Sequence, residues 1–291
     1  MSQCLTIFNM SATDNISSFL SRVGLTAKSL VKLALSSRKC DIKPVAVGDE
    51  RLIVMGNGPS LKKNIEENMN VLTSSPTMAV NFAGNADEFT RLRPDFYILA
   101  DPHFFEGRGT DPNVDRLFSR LASEVDWDMT LFIPVGRDLH NLVGENGHIR
   151  IKQFNPVGVE GFKIVEDLAF RSGRGMPRPR NVLIPAIMVG MLLGFKEIFI
   201  VGADHTWTRT LEVDENNTVV SVQPHFYKDN SEEKARVTSV YRNVRLHDIL
   251  LSMHLAFKSY HSIARYAADT GVKIFNATPG SFIDAFQRKN I

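Results

Sequence analysis

Cysteine is scarce in this sequence. Cys4 and Cys40 are the only two among 291 residues, and no CxxC or CxxH spacing occurs. Disulfide-stabilised folds and cysteine-ligated zinc sites need several cysteines at short, regular spacings. The sequence therefore argues against a disulfide framework and against a structural zinc site.

Long apolar runs and a strong net charge are missing as well. No apolar run approaches the roughly 20 residues that a membrane-spanning helix needs. The N-terminus also lacks the basic-then-apolar pattern of a signal peptide. The formal net charge of +2 is too small to indicate a nucleic-acid partner. We therefore expect a cytoplasmic protein that does not bind nucleic acid.

The remaining composition is that of an ordinary soluble protein, with 43% hydrophobic and 23% charged residues. From Arg51 onward, short apolar strand-like runs alternate with amphipathic stretches. This alternation predicts an α/β fold, a mostly parallel Rossmann-like sheet with helices on both faces. The predicted strands are Leu52–Met55, Met78–Asn81, Phe96–Ala100, Met129–Pro134, Ile149–Phe154, Glu197–Val201 and Val272–Phe275.

Two segments depart from this alternation. Residues at about 203–230 contain a hairpin pattern that turns at Asn216 and Asn217, so we predict an inserted lid there. A long helix is predicted from Ser231 to Asp269, with a break near Tyr260. The domain that contains both segments is predicted to span residues 51–291.

Residues 1–50 are predicted to form an N-terminal helical arm. Its clearest pattern is a short amphipathic helix over Leu25–Ser37. Within residues 1–40, Asp14 is the only acid and five residues are basic: Arg22, Lys28, Lys32, Arg38 and Lys39. Packing on the domain, or on a second subunit of a homo-oligomer, is the simpler interpretation. The alternative is a peripheral contact with the inner face of a membrane, near a lipid-linked substrate.

The first predicted strand runs into the turn Gly56–Leu61, with the sequence GNGPSL, and a helix is predicted to begin at Ser60. Such a turn places backbone amides and a helix N-terminus at the carboxyl edge of the sheet, where an anion gains hydrogen bonds and dipole stabilisation. The motif has no third glycine and no lysine–serine pair, so it is neither a dinucleotide fingerprint nor a Walker loop. It predicts a nucleotide site at Asn57, Gly58, Pro59 and Ser60.

The GNGPSL turn resembles the nucleotide loop of bacterial family 42 sialyltransferases and of a related group. That group includes the flagellar motility accessory factors and the archaeal hydroxymethylpterin diphosphokinases. Gly194–Trp207 (GFKEIFIVGADHTW) is similar to the family segment in which a strand runs into Gly-x-Asp, and Gly271–Ser281 (GVKIFNATPGS) is similar to its closing strand. The resemblance extends from Arg51 to Phe286.

The resemblance implies roles for individual residues. Asn57 matches the asparagine of the nucleotide loop, and Asn81 stands where the family has an asparagine that contacts nucleotide and sugar. Asp204 is the aspartate of Gly-x-Asp. Asp101 replaces a family asparagine before a proline, so we include it among the catalytic candidates and leave the sugar open. Arg180, in a stretch with four arginines, is the candidate for the departing phosphate.

His254 falls, by ungapped spacing from the closing strand, where the sialyltransferases place their catalytic histidine. The Gly-His-Ser context of the family is missing here, and a shift of the alignment would promote His247 or His261 instead. The family tyrosines after Gly-x-Asp are absent too, although Phe226 and Tyr227 offer aromatic replacements.

The resemblance implies a metal-independent glycosyltransferase that moves a sugar from a CMP-sugar donor to a saccharide or glycolipid acceptor, for bacterial surface polysaccharide or glycoconjugate synthesis. His254 would take the proton of the acceptor hydroxyl, and no cofactor beyond the nucleotide-sugar donor would be needed. Two alternatives stay open: a Mg²⁺-dependent diphosphokinase of the pterin type, which would use Asp101 and Asp204, and a non-catalytic nucleotide-binding accessory protein.

Overall fold

The computed structural model describes residues 12–45, 51–221 and 244–291. Eight strands form one sheet in which every pairing is parallel, in the order β10-β9-β6-β1-β2-β3-β4-β5. Its strands are β1 Arg51–Met55, β2 Thr77–Val80, β3 Phe96–Ile98, β4 Met129–Pro134, β5 Ile149–Phe154, β6 Glu197–Val201, β9 Lys273–Asn276 and β10 Gln287–Arg288. The antiparallel pair β7 Leu211–Val213 and β8 Val219–Ser221 lies outside the sheet. The predicted α/β class is confirmed.

Helices connect the strands. They are α1 Ala12–Ser36, α2 Ser60–Ser74, α3 Phe89–Leu92, α4 His103–Glu106, α5 Pro112–Glu124, α6 His140–Val143, α7 Lys163–Arg171, α8 Leu183–Leu192 and α9 Leu246–Thr270. None of the helices in the described part of the chain is long and apolar enough to cross a membrane.

Helices cover both faces of the sheet. In β1, Leu52 and Val54 face a core built with α8 and α9. Ile53 and Met55 face the opposite core, built with α2 and α5. A parallel strand buried on both faces has no polar side to expose, which explains why the strands appear in the sequence as continuous apolar runs.

The chain direction across the sheet reverses at β1. Ile53 is paired with Thr77 of β2 on one side and with Phe199 of β6 on the other. Strands β2 to β5 add outward from β1 in one direction, and the chain then returns to place β6 on the other side. Ligands of open α/β sheets bind in the crevice at such a switch point, beyond the carboxyl ends of the strands.

The N-terminal arm differs from the prediction of short helices. α1 is a single helix of 25 residues. It is held to the domain by polar contacts: the Ser29 hydroxyl donates to the Glu160 carbonyl over 2.8 Å, and the Phe162 N–H donates to Thr26 Oγ1 over 2.9 Å. Gly24 interrupts the apolar pattern in the middle of α1, so the sequence indicated only the second half of this helix. The domain boundary at residue 50 stays a prediction.

Two further predictions concern the second half of the chain. The hairpin is confirmed, and Asn217 takes the left-handed conformation in its turn, with φ of 58°. The predicted break near Tyr260 is wrong, because α9 continues through it: the Tyr260 ring is fully buried, and Ser259 Oγ donates to the Leu255 carbonyl of the preceding turn. The predicted lid beyond residue 221 and the helix before residue 244 lie outside the described residues.

Candidate functional site

The loop after β1, residues 56–60, lies directly against the loop after β6. The Gly56 N–H donates to the Val201 carbonyl and the Gly58 N–H to the Gly202 carbonyl, each over 2.8 Å. A Cβ atom at Gly58 would lie 2.7 Å from the Gly202 oxygen, closer than carbon and oxygen can approach. Glycine at this position therefore lets the two switch-point loops touch.

Asp204 occupies the N-terminus of α2. Its Oδ2 accepts the Ser60 hydroxyl over 2.8 Å and the Ser60 N–H over 3.4 Å, and Pro59, which has no N–H, precedes them. A carboxylate is favoured here by the helix dipole. Asp204 thus takes the place in which the sequence predicted a nucleotide phosphate. The N–H groups of Gly58 and Ser60, expected to be free for an anion, are already donated within the protein.

Two asparagines at the ends of neighbouring strands each carry a buried amide oxygen to which no described group donates. They are Asn57, after β1, and Asn81, after β2. The Asn57 amide nitrogen donates to the Val80 carbonyl over 3.0 Å, which fixes the orientation of its amide. Asn81 has a left-handed backbone with φ of 48°, and its carbonyl accepts the Tyr97 hydroxyl. A buried acceptor without a donor costs free energy, so both oxygens are suited to a ligand with O–H or N–H groups.

An open cleft of about 620 Å³ lies beyond the carboxyl ends of β6 and β9. Its lining residues are His254, Phe257, Lys258, His261, Phe282 and Asp284. His254 is exposed on α9, and His261 Nε2 lies 3.1 Å from Asp284 Oδ1. The cleft therefore presents two histidines, one of which is paired with a carboxylate.

The cleft adjoins the switch-point loops. The Phe282 N–H donates to the Asp204 carbonyl over 2.9 Å, so one residue of the cleft is bonded directly to the residue at the N-terminus of α2. The Arg209 guanidinium lies 4.8 Å from the centre of the Phe282 ring. Arg209 thus lies beside the cleft, and Lys258, which is paired with the Glu160 carboxylate over 3.1 Å, lines it. The sequence had singled out neither residue.

A buried row of hydrogen-bonded side chains lies beside the cleft. His205 Nε2 is 2.7 Å from the Tyr260 hydroxyl oxygen, and that hydroxyl donates to Asn181 Oδ1 over 2.9 Å. Asn181 Oδ1 also accepts the Leu183 N–H at the start of α8, which fixes the amide orientation. Because the tyrosine proton goes to Asn181, the Nε2 atom of His205 must carry its own hydrogen and donate to Tyr260.

His205 is poorly suited to act as a base. Burial lowers its pKa to about 3. A general base works best with a pKa near the operating pH, so the neutral His205 ring is too weakly basic for that role. Its hydrogen bond to Tyr260 joins the loop after β6 to α9, and its ring centre lies 4.1 Å from that of Trp207 in the same loop. Tyr260 and Asn181, the other two residues of this hydrogen-bonded row, belong to no sequence motif, so the sequence did not indicate them.

The other predicted site residues, Asp101 and Arg180, are both exposed. Asp101 is exposed, and its Oδ1 accepts the His103 N–H over 2.9 Å, so it caps α4. Arg180 is exposed, whereas Arg178 forms an ion pair with Glu160. Among the described residues, no group of three or more His, Cys, Asp or Glu side chains is placed to hold a metal ion. Phe226 and Tyr227, the predicted aromatic replacements, lie outside the described residues.

No family model matches this chain, and no curated protein matches it. Among solved structures, the chain is similar to the structure of a MAf glycosyltransferase from Magnetospirillum magneticum AMB-1, with a TM-score of 0.50 and 12% sequence identity. The similarity covers 93% of this chain and 38% of that chain, so this chain spans well under half the length of its structural neighbour. At this identity the similarity shows the fold, an α/β Rossmann-like sheet covered by helices.

Proposed function

We propose that this protein is a glycosyltransferase that uses a nucleotide-activated sugar, with a CMP-sugar as the donor. The observation that carries the proposal is the convergence, at one edge of the sheet, of two unpaired amide oxygens and a cleft with two histidines. The resemblance of the GNGPSL turn to the sialyltransferase nucleotide loop supports it. So does a fold shared with a solved glycosyltransferase.

The donor would lie across the ends of β1 and β2. The oxygens of Asn57 and Asn81 accept hydrogen bonds, so they suit hydroxyl groups of ribose or sugar, or an amino group of the base, and not phosphate oxygens. A phosphate-binding loop would offer free N–H donors. Here the N–H groups of Gly58 and Ser60 already donate to Gly202 and Asp204. The phosphate would instead be held by cationic groups at the cleft, where Lys258 and Arg209 lie.

The chemistry is a single displacement in the cleft. The acceptor hydroxyl oxygen attacks the anomeric carbon while the bond from that carbon to the phosphate oxygen breaks. The hydroxyl proton passes to a histidine nitrogen, and the bonding electrons leave with the nucleotide phosphate, which the cationic groups stabilise. The acceptor is a saccharide or glycolipid, in keeping with surface polysaccharide or glycoconjugate synthesis.

His254 is the proposed base because the resemblance assigns it that role. His261 is the second candidate because a carboxylate, Asp284, lies within hydrogen-bonding distance and would orient its ring. His247, which is exposed on the same helix and does not line the cleft, offers a matched control.

A ligand panel tests the donor class. We expect CMP to raise the melting temperature, since a ligand that binds only the native state stabilises it by mass action, and ATP with Mg²⁺ to leave it unchanged. Asn57→Ala should abolish the CMP effect. Stabilisation by ATP with Mg²⁺ alone would favour the diphosphokinase, and no stabilisation by either ligand would favour the accessory protein.

Turnover of CMP-sugars with a panel of saccharide acceptors tests the base. Replacing the base by alanine should lower turnover by roughly 10²–10⁴-fold while CMP binding persists, and His247→Ala should behave as wild type. If neither His254→Ala nor His261→Ala loses turnover, the base does not come from α9.

A further inference from the structure

Helix α1 turns its apolar side away from the domain. Seven large apolar residues of this helix are exposed and form what we call the α1 stripe: Ile16, Phe19, Leu20, Val23, Leu30, Val31 and Leu35. Their spacing of three, four and seven residues places them along one side of the helix. Leu35 is 81% exposed and Leu20 is 62% exposed, so these side chains contribute little to the core of the described chain.

The opposite side of α1 holds the helix to the domain through two buried polar residues and through Leu33, which packs against the core. Thr26 and Ser29 are the buried residues of the described helix, and both hydrogen-bond to the backbone at Glu160 to Phe162. A surface helix of a globular protein usually packs its apolar side inward. The reversed orientation of α1 therefore leaves an apolar surface that a partner must cover.

The α1 stripe continues onto a second helix. Ile164 and Leu168 of α7 are 70% and 62% exposed. The rings of Phe19 and Phe162 are in contact across the junction, with their centres 5.6 Å apart. Contiguous exposed apolar surface across two elements marks an interaction site, unlike apolar residues that are exposed singly.

The charge around the stripe identifies the partner. Residues 12–40 contain five basic side chains and one acid, Asp14 in the first turn of α1. A second copy of this chain would bring the same positive charges to the interface, whereas a bilayer with anionic lipid headgroups complements them. A helix with an apolar side, several basic residues and a single acid near its start has the composition of one that lies in a membrane interface.

We propose that α1, together with Ile164 and Leu168, docks the protein on an anionic lipid surface, with the α1 stripe inserted among the headgroups. Glu160 links this surface to the cleft, because its backbone bonds Ser29 and its carboxylate binds Lys258 over 3.1 Å. Docking would therefore bring the cleft close to lipid-linked molecules. The proposal does not depend on the identity of the donor or of the acceptor.

The test is co-sedimentation of the full chain with two kinds of vesicle: phosphatidylcholine alone, and phosphatidylcholine mixed with an equal amount of phosphatidylglycerol. The apolar variant is Leu20→Gln/Val31→Gln/Leu35→Gln, and the charge variant is Lys28→Gln/Lys32→Gln. Val45→Gln is the control, since Val45 is an exposed apolar residue outside α1. The melting temperature of every variant, measured without ligand, shows whether the fold is intact.

We expect the wild type and the control to bind the phosphatidylglycerol vesicles. The apolar variant should lose binding by roughly tenfold or more for each residue. The charge variant should lose roughly fivefold for each charge removed and should show a correspondingly smaller preference for the phosphatidylglycerol vesicles. Failure of the wild type to bind, or equal binding by the apolar variant, would overturn the proposal. A dimer of the wild type that does not bind vesicles and that the apolar variant abolishes would also overturn the proposal, because the stripe would then be a contact between two copies of the chain. Analytical sedimentation would detect such a dimer.

Discussion

His205 shows how burial of one residue couples stability to pH. Its Nε2 donates to Tyr260, and its ring packs against Trp207. Burial lowers the pKa of His205 from 6.5 to about 3, so the folded protein holds the neutral ring where the unfolded chain would be protonated. Between these two values the unfolded state binds more protons, and stability must therefore fall as the pH falls.

We predict that His205 makes the free energy of unfolding depend on pH only below about pH 6.5. Below that pH the free energy of unfolding should decrease by up to about 1.4 kcal/mol per pH unit. His205→Asn removes the titrating ring and suits the left-handed backbone, with φ of 51°. This variant should be less stable at pH 7 but should lose much less on going from pH 6.5 to pH 5. Urea denaturation at several pH values measures the difference.

That pH window separates His205 from the carboxylates. For Glu160, burial opposes ionisation, but hydrogen bonding and charge from Lys258 and Arg178 outweigh it and lower the pKa of the carboxyl. A carboxylate with a lowered pKa loses its stabilising contribution only as the pH falls below about 4. If wild type and variant lose stability in parallel between pH 6.5 and pH 5, the pKa of folded His205 is not lowered by burial and the prediction is wrong.

At the scale of the element, α1 is informative because its two sides have opposite functions in the fold. The polar side anchors the helix through Ser29, which both donates to and accepts from the Glu160 backbone, and through Thr26, which accepts the Phe162 N–H. The α1 stripe, on the other side, is exposed, and we propose that it serves binding. Substitutions on the two sides should therefore have separable effects.

Thr26→Val/Ser29→Ala should lower the free energy of unfolding by about 1–3 kcal/mol for each buried backbone group that is left without its partner. Ser21→Ala, at an exposed position of the same helix, is the control and should be neutral. Denaturant unfolding measures the loss, and limited proteolysis should show faster cleavage within residues 12–45 of the double variant. A double variant as stable as wild type would show that α1 is held by other contacts.

At the scale of the whole molecule, the switch point between β1 and β6 concentrates the candidate site at one edge of the sheet. Bonds between backbone atoms join residues 56–60 to the loop after β6, and Asp204 joins that loop to Phe282 at the cleft. A ligand that binds at this edge should therefore stabilise loops that are far apart in sequence.

Hydrogen–deuterium exchange with and without CMP tests this expectation. Protection should increase in residues 56–60, in the segment that follows β2, and in the loop after β6, because these lie at the ends of three adjacent strands. α1, which anchors elsewhere, should exchange at an unchanged rate. Protection confined to α1, or spread evenly over the chain, would mean that the ligand binds away from the switch point.

Much of the fold follows from the sequence alone. A buried parallel strand is apolar along most of its length, so β1, β4 and β6 could be located within one residue of their observed ends. β5, an edge strand, has polar residues between apolar ends, and its bounds Ile149–Phe154 were also predicted. The GNGPSL turn and the start of α2 at Ser60 were equally evident, because glycine and proline restrict the backbone locally. Local conformational preference and strand burial are properties that a short segment carries by itself.

Only the tertiary structure decided how the site is assembled. The carboxylate of Asp204 accepts the Ser60 hydroxyl at the start of α2, 144 residues away in sequence, and the amide oxygens of Asn57 and Asn81 are buried without a donor among the described residues. The pairing of Tyr260 with His205, and the outward direction of the α1 stripe, are likewise set by contacts between distant segments. A sequence pattern records which residues can bond or be buried, but the packing of the whole chain determines which partner each one meets.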